Sequence, residues 1–331
     1  MMMNANIVKK LSYIGALFTL VVISAGAWVR LTDAGLGCPD WPGCYGILGT
    51  PDTEKELYQA KQLYPNAEID VGKAWREMLH RYLAGILGLY VFLVSYLTYK
   101  YATHVSKLMP SILVGLIIIQ SLMGMLTVTE LVKPTIVTTH LILGMTTACL
   151  LLWNAFMIGK KSTTTYNGVN TFYMLCTVAL LFQIILGGWT STNYASLACT
   201  DFPKCSQEWY PSNMDFETGF TITNLPDVNY EEIQMSYAGK LAVHYSHRLG
   251  ALIVLLLFLA LFWYLFFIQK YTNQKKIGYV VFFFFSLQIL LGVSNVVYSL
   301  PLSVAVLHTV NACILMMSML TLLFYSTYNT R

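Results

Sequence analysis

Charge is what this sequence has least of. Asp, Glu, Lys and Arg together make up 11% of its 331 residues, where a soluble globular chain carries about 25%. That scarcity, beside 56% apolar types, excludes a disordered chain and leaves no basic surface for holding nucleic acid. Seven cysteines over this length are too sparse to be a disulfide framework that replaces a core. No Arg-rich, Ser-rich transit segment precedes the first apolar run, which favours a bacterial plasma membrane over an organelle. What fills the chain instead is one long apolar run after another.

A helix needs about 20 predominantly apolar residues to cross the hydrocarbon core. Such runs occupy 11–29, 82–99, 108–129, 134–159, 169–192, 249–269, 277–300 and 302–326, the last two being one uncharged stretch divided at Pro301. The fold predicted is therefore all-α and integral to the membrane, with eight transmembrane helices. Lys9, Lys10, Lys100, Lys107, Lys160, Lys161, Lys270, Lys275, Lys276 and Arg331 fall on the side of both termini, and all 16 Asp and Glu fall on the other. The positive-inside rule then makes the termini cytoplasmic and the long loops, about 31–75 and 193–240, exoplasmic. Ala25-Gly26-Ala27 could be read as the end of a cleavable signal peptide. The apolar run continues past it, and the repeat described next requires the helix.

The chain is written twice. Residues 26–44 read GAWVRLTDAGLGCPDWPGC and residues 187–205 read GGWTSTNYASLACTDFPKC, matching Gly26, Trp28, Cys38, Asp40, Pro42 and Cys44 to Gly187, Trp189, Cys199, Asp201, Pro203 and Cys205. Further on, His80-Arg81 matches His247-Arg248, Gln120 matches Gln288, Gly124 matches Gly292, and His140 matches His308. Four helices per half is an even number, so residues 1–160 and 161–331 should form two four-helix bundles related by a pseudo-twofold axis along the membrane normal.

His104 sits in a loop among lysines, while His80, His140, His244, His247 and His308 lie at the acidic-side ends of apolar runs. An ionisable side chain at that depth needs a partner. One such His is as often a packed core residue as a ligand; two matched pairs favour ligation. Ala84, Gly144, Ala251 and Ala312 stand four residues after the paired histidines, on the same helix face, where they leave clearance for a flat macrocycle or simply let helices pack closely. Bis-His haem ligation in each half is the reading this supports. A zinc or copper site would call for carboxylates or thiolates nearby and no such clearance.

Arg30, Arg81 and Arg248 are candidate partners for haem propionates, with interfacial snorkelling as the bland alternative. The halves differ at one telling place: Glu77 stands three residues before His80, and His244 three before His247. A carboxylate near a haem edge can act as a base or stabilise developing positive charge, so Glu77 is the candidate catalytic residue, against the simpler role of an acid at a helix N-terminus. Cys38–Cys44 and Cys199–Cys205 are read as two short disulfide loops on the oxidising side. Cys149, Cys176 and Cys313 fall within helices as small hydrophobes.

The run from Gly26 to Thr32, then Gly35-Leu36 and Cys38-Pro39-Asp40-Trp41-Pro42, together with Glu77-x-x-His80-Arg81, His140, His247-Arg248 and His308, resembles the haem A synthase family over the whole chain. The resemblance implies haem b as cofactor on His247 and His308, and haem O as substrate between His80 and His140. It further implies oxidation of a ring methyl to a formyl group by successive hydroxylation, with oxygen from water. Expected partners are haem O, the haem O synthase that supplies it, membrane lipid, an electron acceptor the sequence does not name, and a second copy of the chain in a homo-oligomer. The alternative is a di-haem membrane protein that oxidises quinol; a transporter built on parallel repeats would want polar groups near the midplane.

Overall fold

A computed structural model describes residues 5–160, 165–166 and 168–329; Lys161 and Arg331 lie outside them. The helices are α1 (Ala5–Leu31), α2 (Glu54–Leu63), α3 (Val71–Tyr101), α4 (Leu108–Thr129), α5 (Pro134–Gly159), α6 (Thr171–Thr192), α7 (Phe216–Gly219), α8 (Tyr237–Trp263), α9 (Thr272–Val297) and α10 (Leu302–Thr327). All but α2 and α7 are long and apolar enough to cross a membrane, which gives the eight expected, with α8 running on through a π-turn to Ile268. The chain is a multi-pass membrane protein.

Two helices begin well before their apolar runs. The spans expected at 82–99 and 249–269 start instead at Val71 and Tyr237. Apolarity marks where a helix meets lipid, whereas its start is set by a cap. Asp70 accepts from Lys73 N to cap α3, and Ser236 accepts from Gly239 N to cap α8. These extra turns carry Glu77, His80, His244 and His247 as parts of rigid helices. Proline sets two other starts, Pro134 in the first turn of α5 and Pro301 at the cap of α10, where a missing N–H costs nothing.

In the first half α1 packs on α3 and α5, and α4 on α3 and α5; in the second, α6 packs on α8 and α10, and α9 on α10. Lipid is as apolar as leucine, so these contacts rest on close fit and interhelical hydrogen bonds. Ala16, Val22, Leu87, Val91, Leu113 and Leu151 fill the first bundle, while Tyr173, Phe258, Leu261, Phe285, Leu315 and Met319 fill the second. Asn154 of α5 donates to Ser12 Oγ of α1 at 3.0 Å and Thr98 Oγ1 of α3 at 2.9 Å, tying three helices near the end that bears the termini.

The halves meet where α5 touches α6 and α10, and where α1 touches α10. Thr138 and Thr192 share a hydrogen bond of 3.0 Å across this seam. Arg30 closes it at the loop end: its Nη2 donates to Ser191 O at 2.6 Å and its guanidinium lies 3.9 Å from the centre of the Tyr194 ring. The long second loop crosses the seam as well. Gly35 N donates to Glu231 Oε1 at 3.1 Å, Tyr230 N to Leu131 O at 3.3 Å, and Lys133 pairs with Asp227 at 3.0 Å. A strap from the second half thus lies over the α1 exit and the α4–α5 turn of the first.

Candidate functional site

Both disulfides expected from the sequence are formed, Cys38–Cys44 and Cys199–Cys205, with Cα separations of 4.8 and 4.7 Å. The loops they close are built alike. Asp40 accepts from Tyr45 N at 2.6 Å and Gly46 N at 2.9 Å; Asp201 accepts from Ser206 N and Gln207 N at the same two distances. The matched arginines hold the loops from beneath. Arg81 donates to Asp40 O at 3.0 Å and Gly43 O at 2.6 Å, and Arg248 donates to Asp201 O and Lys204 O at 2.7 Å each. Their guanidinium donors are thus engaged by loop carbonyls, and Arg30 is engaged at the seam. Cys149, Cys176 and Cys313 are free and buried.

Glu77 and His244 occupy one position in two chemical forms. Glu77 Oε2 accepts from Cys38 N at 2.8 Å while its Oε1 pairs with Arg81; His244 Nδ1 accepts from Cys199 N at 3.2 Å while its Nε2 faces Arg248 Nε at 3.3 Å. Each is 4% exposed. Each joins the disulfide loop to the helix that carries a paired histidine one turn on. The difference is charge, since Glu77 brings a carboxylate where the other half has a ring.

His80 on α3 faces His140 on α5, with ring centres 6.5 Å apart and planes at 85°. Two imidazoles on opposite sides of one metal, each with a metal–nitrogen bond of about 2 Å, place their ring centres about 6 Å apart. Nδ1 of His80, of His140 and of His308 is buried without a hydrogen-bond partner, a cost that a ligand would remove. Among the described residues no three His, Cys, Asp or Glu gather as a closed metal cage. The residues present therefore fit a group held from two sides by imidazole.

Glycines that the repeat matched, but to which the sequence reading gave no role, prove to seat these rings. A Cβ at Gly26 would lie 2.9 Å from His80 Cε1; at Gly124, 3.2 Å from His140 Cε1; at Gly187, 3.1 Å from His247 Cε1; and at Gly292, 3.2 Å from His308 Cε1. Each histidine thus rests on a glycine of the preceding membrane helix. Gly144 makes room for a side chain of the protein: a Cβ there would meet Gln120 Nε2 at 3.2 Å. Outside the spans, burial, aided by nearby Asp33, raises the pKa of Glu231 in the strap.

Eight membrane helices with a histidine pair facing across one bundle, and its counterpart repeated in the other, describe a haem-handling membrane protein. The sequence profile of the cytochrome oxidase assembly protein family matches residues 9–320. The heme A synthase of Shewanella oneidensis is 38% identical over 312 residues, covering 93% of each chain. Those of Halalkalibacterium halodurans and Neorickettsia sennetsu are 26% and 25% identical, covering 89% and 91% of this chain and 89% and 93% of their own. The chain belongs to the haem A synthase family.

Proposed function

We propose that this protein is an oxidoreductase that converts the ring methyl of haem O to a formyl group by successive hydroxylation, with water as the oxygen source. The observation that carries the reading is Glu77, a buried carboxylate on the helix that presents His80 to His140, where the other half has His244. His80 and His140 hold the substrate. His247 and His308 hold haem b, which when bound supplies an exit for electrons. Residues 1–160 thus form the substrate half and 161–331 the cofactor half.

Oxidising a methyl group builds positive charge beside the ring, and a fixed carboxylate stabilises it. Glu77 is already oriented by Cys38 N and Arg81, so little reorganisation accompanies the reaction. The disulfide loop and the strap from the second half cover this end of the bundle and restrict water to what the reaction uses. The alternation of charge along the sequence supports a bacterial plasma membrane with both termini cytoplasmic and the disulfide loops outside. Haem O would come from the enzyme that makes it, and electrons pass to an acceptor of unassigned identity.

One observation favours the rival reading of a di-haem quinol oxidoreductase: Glu77 and His244 make equivalent contacts, as two structural anchors would. Haems extracted from a haem-A-deficient host that expresses this chain and supplies haem O decide between them. The wild type is expected to yield haem A or its hydroxylated precursor. Glu77→Gln should yield neither while keeping its haem b, and His247→Ala should lose haem b. Unmodified haems alone, with Glu77→Gln indistinguishable from wild type, would overturn the synthase reading.

A further inference from the structure

Gln120, Gln183 and Gln288 each stand four residues before the glycine that seats a paired histidine, Gly124, Gly187 and Gly292, on the same helix face. Each amide reaches that same histidine. Gln120 Nε2 donates to His140 O at 3.0 Å, and Gln183 Nε2 to His247 O at 2.9 Å, lying 3.0 Å from His247 Nδ1. Gln288 Nε2 lies 3.2 Å from His308 Nε2, and Gln288 is itself held by Asn311 Nδ2, which donates to its Oε1 at 2.6 Å. In the fourth pair the corresponding residue, four before Gly26, is Val22. Val22 is buried in the apolar core with Leu87 and Val91, and His80 Nδ1 has no hydrogen bond.

We propose that Gln120, Gln183 and Gln288 are positioning residues for haem-ligating histidines, and that Val22 leaves His80 as the unbraced ligand through which the substrate half releases its haem. The proposal rests on the bis-His reading above. An imidazole that binds a metal through one nitrogen carries a proton on the other, and a hydrogen-bond partner there fixes the ring and strengthens the bond. The acceptors are at hand: Oε1 of Gln120, Oε1 of Gln183 and Oδ1 of Asn311 are buried without partners, and turning a terminal amide exchanges its donor and acceptor ends. The second half braces both of its histidines and the first half only one. A retained cofactor wants two fixed ligands, whereas a substrate that leaves as product wants a ligand that lets go. This asymmetry lies on α1 and is independent of the one at Glu77.

The test uses the full-length protein in detergent with haem b as the probe, following its transfer to a haem-free globin and the midpoint potential of each site. The first half is read in a His247→Ala, His308→Ala background, and the second in His80→Ala, His140→Ala. Val22→Gln is expected to slow haem loss from the first half about tenfold, and Gln183→Val to speed loss from the second by about ten- to a hundredfold. Gln183→Glu should keep the haem and lower the midpoint potential, because a stronger acceptor makes the ligand more basic; a side chain that merely filled space would not move the potential. If Val22→Gln fails to accumulate, the two substitutions at Gln183 carry the test. Unchanged loss rates in both halves, in a protein that binds two haems, overturn the proposal. If haem content is indifferent to His247 and His308, the pairing itself fails, and this proposal falls with it.

Discussion

At Gly187 two effects of opposite sign meet. Alanine there would gain about 0.5–1 kcal/mol of backbone entropy over glycine in a helix. Its Cβ, however, would press to 3.1 Å of His247 Cε1, and overpacking a fitted site costs about 1–3 kcal/mol. Overpacking should prevail once the side chain grows to valine. Gly187→Val is expected to lose haem from the second half with the helices still formed, measured as haem-to-protein ratio beside circular dichroism; full haem content would show that the ring has room to shift. The histidines were legible in the sequence because an imidazole in an apolar run demands an explanation. Their glycine seats were visible as matches in the repeat yet silent about purpose, since glycine is common wherever membrane helices touch. Gln183 was missed outright, and its signal was the spacing of Gln and Gly four apart on three separate helices.

Among the elements, the disulfide loops and the strap differ in what holds them. A disulfide closing so short a loop stabilises by about 2 kcal/mol through chain entropy. The loop at Cys199–Cys205 is also held by three carbonyl contacts to Arg248, from Cys199, Asp201 and Lys204. Replacing both cysteines with serine should therefore lower the melting temperature in detergent without dispersing the loop, whereas Arg248→Ala should release it to proteolysis. The strap depends on Glu231, a carboxyl whose pKa is raised by burial and by Asp33. A raised folded-state pKa means the folded protein holds the proton more tightly, so stability falls as pH rises from the unfolded value to the folded one. Glu231→Gln keeps an acceptor for Gly35 N and removes the charge. It should melt higher than wild type at neutral pH, and the gap should close as the pH drops through the Glu231 titration. A gap that does not change with pH would mean that the carboxylate is not held out of water. The membrane spans were legible to within a few residues where lipid sets their ends. At α3 and α8 they were eleven and twelve residues off, because Asp70 and Ser236 set those ends instead.

Across the whole molecule, the link between halves narrows to a few side chains at the loop end, and Arg30 is the one that a hydropathy reading mistakes for an interfacial residue. Its repeat counterpart is Ser191, and the two touch: Arg30 Nη2 donates to Ser191 O at 2.6 Å. Nothing in one copy of a repeat shows that a residue will meet its own counterpart, which is why the sequence suggested a propionate instead. A guanidinium donating a charged hydrogen bond is worth about 1.5–3 kcal/mol, and stacking on Tyr194 adds about 0.5–2 kcal/mol. Both need the flat fork of arginine, which the compact ammonium of lysine cannot reproduce. Arg30→Lys should therefore lose most of what Arg30→Ala loses in melting temperature, even though it keeps the charge. The loss should be accompanied by faster amide exchange at the α6 exit, around Tyr194–Ala198, and by unchanged protection within α8 and α9, which the seam does not touch. If lysine restores wild-type stability, the contact is one of simple charge with Asp33, 3.6 Å away, and the two halves are held together by α5 and α10 alone.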